Sequence, residues 1–189
     1  MLRKIISVLL IGLVLVAPLG TCLAEETTNS PWAFITSFNM AVRSVLQEQW
    51  AGADAQTLEY LLDAFELSYE PEASEAQGKT IYVMGLKEMG LTIEFDAKDE
   101  DAEFSQVMVL CNQDDKSGVV NGARNFMNIF IACFAPYVGL NTDEADKVKE
   151  WLNSVEPSET AETYTNDVFV AEYWLDEDTG LVSLQFELV

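Results

Sequence analysis

Gly90-Leu91-Thr92-Ile93-Glu94-Phe95 sets apolar and polar side chains in alternation, and a loose echo returns as Gly180-Leu181-Val182-Ser183-Leu184-Gln185-Phe186. Period two is the mark of a strand with one face buried and the other wet. Leu91, Ile93 and Phe95 share the inner face of the first strand; Val182, Leu184, Phe186 and Leu188 share that of the second. Upstream of each lies an acidic, proline-bearing stretch. Glu70-Pro71-Glu72-Ala73-Ser74-Glu75 recurs as Glu156-Pro157-Ser158-Glu159-Thr160-Ala161, an offset of 86 residues. Similarity of a chain to itself at one spacing points to a repeated structural unit.

Working outward, the stretches before each linker have helical period and helical ends. Ser30-Pro31 reads as an N-cap followed by proline at the first helical position, where a missing N–H costs nothing. Ile35, Phe38, Val42, Val45 and Leu46 then keep to one face, predicting a helix over Pro31 to Gln49. Leu58, Leu61, Leu62 and Phe65 do the same for Asp54 to Phe65. In the second half Val120, Ala123, Phe126, Met127, Phe130, Ile131 and Phe134 mark Val119 to Ala135, with Pro136 as the expected stop. Asn141-Thr142-Asp143-Glu144 has the spacing of a capping box for a helix over Asp143 to Val155, with Ala145, Val148, Leu152 and Val155 inward.

Helix, helix, linker and hairpin thus occur twice, over about 31–112 and about 117–189. Phe104 to Leu110 reads as a third strand of the first half with no counterpart. The expectation is a two-layer α+β domain, an antiparallel sheet of about five strands with helices packed on one face, built from a duplicated helix-helix-hairpin unit. This plan resembles the saddle-like duplicated α+β folds, such as the TATA-binding-protein fold. The resemblance is one of architecture and carries no function.

Residues 1–24 read as an export signal. Arg3 and Lys4 precede an apolar run from Ile5 to Val16, Pro18 and Gly20 break it, and Cys22-Leu23-Ala24 places small residues before Glu25. The run is shorter than the ~20 residues that a bilayer span needs, so no membrane span is expected in the mature chain, residues 25–189. Leu19-Gly20-Thr21-Cys22 resembles a lipoprotein box, but Thr21 stands where Gly, Ala or Ser is expected; lipid anchoring at Cys22 is the lesser reading. The expected location is secreted or extracytoplasmic, in a bacterial cell envelope.

Charge and composition exclude whole classes. The chain carries 32 Asp and Glu against 10 Lys and Arg, and no histidine. Removing Arg3 and Lys4 with the signal leaves 8 bases against 32 acids, a net charge of −24. Such a chain is repelled by phosphate, so no nucleic-acid partner is expected. Without histidine there is no Ser-His-Asp or Cys-His catalysis and no imidazole zinc site. The sequence has no nucleophile elbow, P-loop, dinucleotide fingerprint or C-x-x-C pair. No carboxylate pair sits in an apolar setting that would separate two pKa values for acid–base work. The expectation is no enzyme and no cofactor, with a small carboxylate-based hydrolase as the weakest alternative.

Two further groups of residues bear on function. Cys111 ends a strand close to the start of the third helix, while Cys133 sits near its far end, roughly 20 Å away at the helical rise. A disulfide needs Cα atoms within ~7 Å, so these thiols are expected to stay unbridged. Asp176-Glu177-Asp178-Thr179-Gly180, with Glu187 further on, loosely echoes a calcium loop. Its glycine is one position early and the residues beyond it read as a strand, so a hairpin turn is preferred. Asp176 and Asp178 remain the candidate metal ligands of an alternative reading, a calcium-dependent cell-surface or structural protein using acidic loops.

The leading reading comes from the sheet. Aligning the halves at the offset of 86 pairs Val83 with Phe169 and Gly85 with Ala171, and these are expected to face the helices. The opposite face then carries Tyr82, Met84 and Leu86 on one strand, with Val168, Val170, Glu172 and Trp174 on the other. A face open to water is ordinarily polar. An apolar, aromatic and Met-bearing one has the composition of contact surfaces. The expected function is a non-catalytic exported domain that binds a protein, a peptide or a cell-envelope component, or a second copy of itself, through this face.

Overall fold

A computed structural model describes residues 30–85, 90–112 and 120–189. The export signal with Cys22 lies outside the described residues, as does Leu86. In chain order the elements are α1 (Pro31–Gln49), α2 (Ala55–Phe65), β1 (Leu67–Tyr69), α3 (Pro71–Gln77), β2 (Thr80–Met84), β3 (Thr92–Phe95) and β4 (Gln106–Asn112). Then follow α4 (Val120–Tyr137), α5 (Thr142–Ser154), β5 (Glu162–Thr165), β6 (Phe169–Asp176) and β7 (Leu181–Leu188). The class is α+β, with helices beside one antiparallel sheet of seven strands in the order β1-β2-β3-β4-β7-β6-β5.

Local chemistry explains the helix ends. Ser30 Oγ accepts from the Ala33 amide at 3.3 Å, and Pro31 follows it. Asn141 and Glu144 exchange side-chain and backbone bonds at 3.1 and 3.0 Å, the reciprocal capping box at the start of α5. Pro136 does not stop α4 where expected. It is tolerated inside the last turn, and the helix runs on to Tyr137, two residues before Gly139, whose φ of 84° is open to glycine at little cost. There the Leu140 amide bonds Ala135 O and the Gly139 amide bonds Pro136 O, satisfying carbonyls that a helix end leaves orphaned.

The sheet has two strands more than the periodicity gave, β1 and β5. Both are short and lie at the edges, and β5 is almost entirely polar and exposed, so neither has an apolar alternation to detect. The seam of the sheet is the β4–β7 pair, with Val107 opposite Phe186 and Val109 opposite Leu184. Outward from this seam run β3 and β2 on one side, β6 and β5 on the other, with β1 added beyond β2. Phe104 to Leu110 corresponds to β4, which pairs with the last strand along its whole length.

The core lies where α1 and α4 meet the sheet. Phe34, Phe38, Val42 and Leu46 recur every fourth residue along α1 and are all buried. Phe34 meets Phe130 and Phe134 of α4 with ring centroids at 5.2 and 5.9 Å, and Phe95 of β3 at 6.0 Å. Phe134 in turn meets Phe186 of β7 at 5.0 Å. Phe95, Val107 and Phe186 are cross-strand neighbours in one row, so both helices rest on the same side of β3, β4 and β7. Each large side chain withdrawn here contributes about 1.5–3 kcal/mol of transfer free energy, before the entropy of ordering is counted.

Candidate binding face

Strand register decides which residues face the core. Ile93 and Phe95 of β3 are fully buried, and Tyr82 of β2 stands directly opposite Ile93. Tyr82 and Met84 therefore point into the core, and both belong to it, at 3% and 4% exposure. Val83 points the other way and is half-buried. This reverses the sequence expectation for β2. The offset of 86 laid β2 over β6, but β2 pairs with β3 and takes its faces from that pairing. A one-residue error in register exchanges every inward and outward side chain.

The face away from the core is laid out in rows across the strands. One row runs Ser68, Val83, Thr92, Leu110, Ser183, Trp174. The next runs Ile81, Glu94, Met108, Gln185, Glu172, Thr163. Val170 lies between Glu187 and Thr165 in a third. Val83, Met108, Leu110, Val170, Trp174 and Leu181 are each half-buried on this side, an apolar group crossing the seam. Of the residues expected here, Val170 and Trp174 are present. Val168 precedes β6 in a turn, where its amide and that of Phe169 bond Asn166 Oδ1 at 2.8 and 2.9 Å, and it packs against the margin of the core. Met108, Leu110 and Leu181 were missed, although β4 alternates Val107, Val109 and Cys111 inward with Met108 and Leu110 outward.

Towards β2 the same face is polar and tied down. Lys79 Nζ lies 2.9 Å from Glu94 Oε2, whose side chain is 9% exposed. Burying a carboxylate is costly unless it is paired, and Lys79 supplies the partner. Gly90 comes up against the side chain of Asn112 and holds φ at 53°, so a Cβ there is excluded both by the neighbour and by the backbone. Ile81 is 2% exposed on this side, with α3 packed along β2 and Ser74 Oγ accepting the Ile81 amide at 3.0 Å.

The remaining candidate chemistry is engaged in structure. Asp176 Oδ1 accepts from the Asp178 and Thr179 amides at 3.0 and 3.3 Å, and Thr179 holds its carboxyl below the usual range. Asp176 stands opposite Leu181 and Glu187 opposite Val170, so the two acids lie at opposite ends of the β6–β7 pair, roughly 20 Å apart at ~3.3 Å per residue. Among the described residues no group of three or more acidic or cysteine side chains is gathered to hold a metal ion. Cys111 and Cys133 are both buried and no disulfide joins them; burial pushes the Cys111 thiol up to about 12, so it is protonated and unreactive. Tyr82 Oη donates to Glu100 Oε1 at 2.7 Å, and burial, then Glu100, pushes its ionisation well above the ordinary value. Arg124 donates to Val155 O at 2.7 Å and lies 3.5 Å from Glu156, joining α4 to the exit of α5.

Among the described residues no helix is long and apolar enough to cross a membrane. Comparison with known proteins found no matching family model, no similar curated protein and no similar solved structure.

Proposed function

We propose that this chain is exported, cleaved after Ala24, and acts without catalysis by binding a protein, peptide or cell-envelope component through the outer sheet face around Leu110 and Trp174. The observation that carries the reading is the group Met108 and Leu110 on β4 with Val170 and Trp174 on β6, each half-buried on the outer side of the two strands that flank β7. A wet sheet face is ordinarily polar, and aromatic and Met side chains dominate contact surfaces. Tyr82 and Met84 are no part of this surface. Helices α1 and α4 rest on the opposite side of the sheet, and α3 meets this face at β2, away from Leu110 and Trp174; duplication of one ancestral unit is a second inference in keeping with the mirrored strand order about the seam.

The test joins Leu110→Ser and Trp174→Ser in one chain. The expected result is an unchanged circular dichroism spectrum with loss of a partner that the unaltered protein captures from its own organism's envelope fraction. Equal capture by both proteins would sink the reading, and so would a variant that no longer folds, because the face would then be covered from within. Expression with residues 1–29 intact, followed by N-terminal sequencing, tests export; a mature chain that still begins at Met1 rejects it.

A further inference from the structure

The two edges of the sheet differ in what their backbones offer. At β1, Glu70 N–H bonds Ile81 O and Gly85 N–H bonds Glu66 O, so even-numbered residues face β2 and Leu67 and Tyr69 face outward. Leu67 is already engaged on that outward side. Asn39 of α1 donates to its carbonyl at 2.9 Å and accepts from its amide at 3.0 Å, standing in for a neighbouring strand. Tyr69 is the only other outward residue, and Pro71, next in the outward series, has no N–H. This edge is blunted.

At β5 no such cover exists among the described residues. Asn166 N–H bonds Phe169 O, so the even-numbered residues of β5 face β6, and Thr163 and Thr165 turn their amides and carbonyls outward. Both threonines are exposed, and neither has a partner for those groups among the described residues. The edge also has a sidedness. Tyr164 lies on the core side against Trp151, ring centroids 5.7 Å apart, while Thr163 lies in the row of Glu172 on the other. From Glu156 to Val189 the chain has nine acidic residues and no lysine or arginine. Glu162 opens the strand and Glu159 and Asp167 flank it, all exposed.

We propose that the free edge of β5 adds an extended, basic segment of a partner protein as an eighth strand. The outward groups of Thr163 and Thr165 supply the ladder, and alternate side chains supply the selection. Apolar side chains extend the row of Tyr164 and Trp151; lysines or arginines extend the row of Thr163 and Glu172. The acidic surroundings attract that segment and repel a second copy of the same edge. The site borders the outer face but draws on the backbone edge of β5 rather than on Leu110 and Trp174, so neither proposal depends on the other.

The probe is a synthetic eight-residue peptide alternating lysine and valine. Expected are saturable binding that weakens with salt and slowed hydrogen exchange at the Thr163 and Thr165 amides. Two further peptides carry N-methyl groups on all valines or on all lysines. Only one of these series points at β5, so one methylated peptide should lose binding at least tenfold more than the other; simple charge attraction would treat them alike. Thr163→Pro removes an outward donor without touching the β6 ladder, and should also weaken binding tenfold or more at an unchanged melting temperature. If that variant misfolds, the exchange pattern of the unaltered protein decides alone. Equal binding of the two methylated peptides, slowed exchange at Tyr69 instead, or no binding would each overturn the proposal. So would a dimer of the unaltered protein that Thr163→Pro dissolves, since the occupant would then be a second copy. Leu110→Ser with Trp174→Ser should leave peptide binding as it is, which separates failure here from failure at the outer face.

Discussion

β2 and β6 occupy comparable places, each next to a short edge strand, β1 or β5, yet they bury their side chains differently. β6 alternates: Phe169, Ala171 and Tyr173 are buried, while Val170, Glu172 and Trp174 are half-exposed. β2 is buried on both sides. Tyr82 and Met84 enter the core, and Ile81 is covered on the other face where α3 packs along the strand. A strand wetted on one side writes its orientation into its sequence. A strand covered on both sides loses that record, and only its pairing tells which way it faces.

The largest expected effect probes the buried side of β2. Tyr82→Ala removes a core aromatic and should cost ~3–5 kcal/mol in denaturant unfolding, the range for deleting a buried ring. A cost below ~1 kcal/mol would place Tyr82 at a surface and undo the comparison. Next comes the other side of the same strand. Ile81→Ala should cost ~2–4 kcal/mol, because a covered isoleucine leaves a cavity. If it proves neutral, α3 does not seal this face and β2 is as one-sided as β6.

A pH titration gives a third, smaller effect. Burial raises the ionisation of Tyr82, Tyr137 and Tyr173 above the ordinary value of 10.0. The folded chain then holds phenolic protons that the unfolded chain gives up. Their contribution is therefore intact below pH 10 and is lost as pH rises beyond it. Thermal melts should show stability falling from about pH 10 upward, with Tyr82→Phe flattening the fall. An alkaline limb identical in Tyr82→Phe would assign the loss to other groups. The smallest effect is expected on the outer face of β6, where Trp174→Ser should cost about 1 kcal/mol or less. A cost like that of Tyr82→Ala would mean that β6 too is covered on both sides.

The same contrast explains what was legible in the sequence. Helices α1, α2, α4 and α5 were readable from their apolar stripes, with caps adding to the signal at α1, through Ser30-Pro31, and at α5, through Asn141 with Glu144. Strands β3, β4, β6 and β7 showed through alternation. β1 and β5 did not, since three residues after a helix and four polar ones carry no period. Val170 and Trp174 do lie on the outer face, because β6 alternates with Phe169, Ala171 and Tyr173 inward. Tyr82 and Met84 were misassigned because Thr80-Ile81-Tyr82-Val83-Met84 is apolar on both sides and the internal alignment supplied a false register. Leu110 and Met108 had a usable signal in β4 that was read only for its inward half.

The seam between β4 and β7 has a consequence in time. β7 sits in the middle of the sheet, between β4 and β6, yet it is the strand synthesised last of the seven. Until it arrives, β4 presents an open edge and the inner sides of Val107 and Val109 lack Phe186 and Leu184 across from them. Pairing of this kind joins residues far apart in the chain, and such contacts form slowly because a long loop must close first. The first half can therefore gather its helices and meander early, but the molecule cannot lock until its final strand is threaded between two waiting neighbours. Maturation is accordingly all-or-none at its last step, and the interval before it is when the chain is most open to chaperones and to faulty pairing.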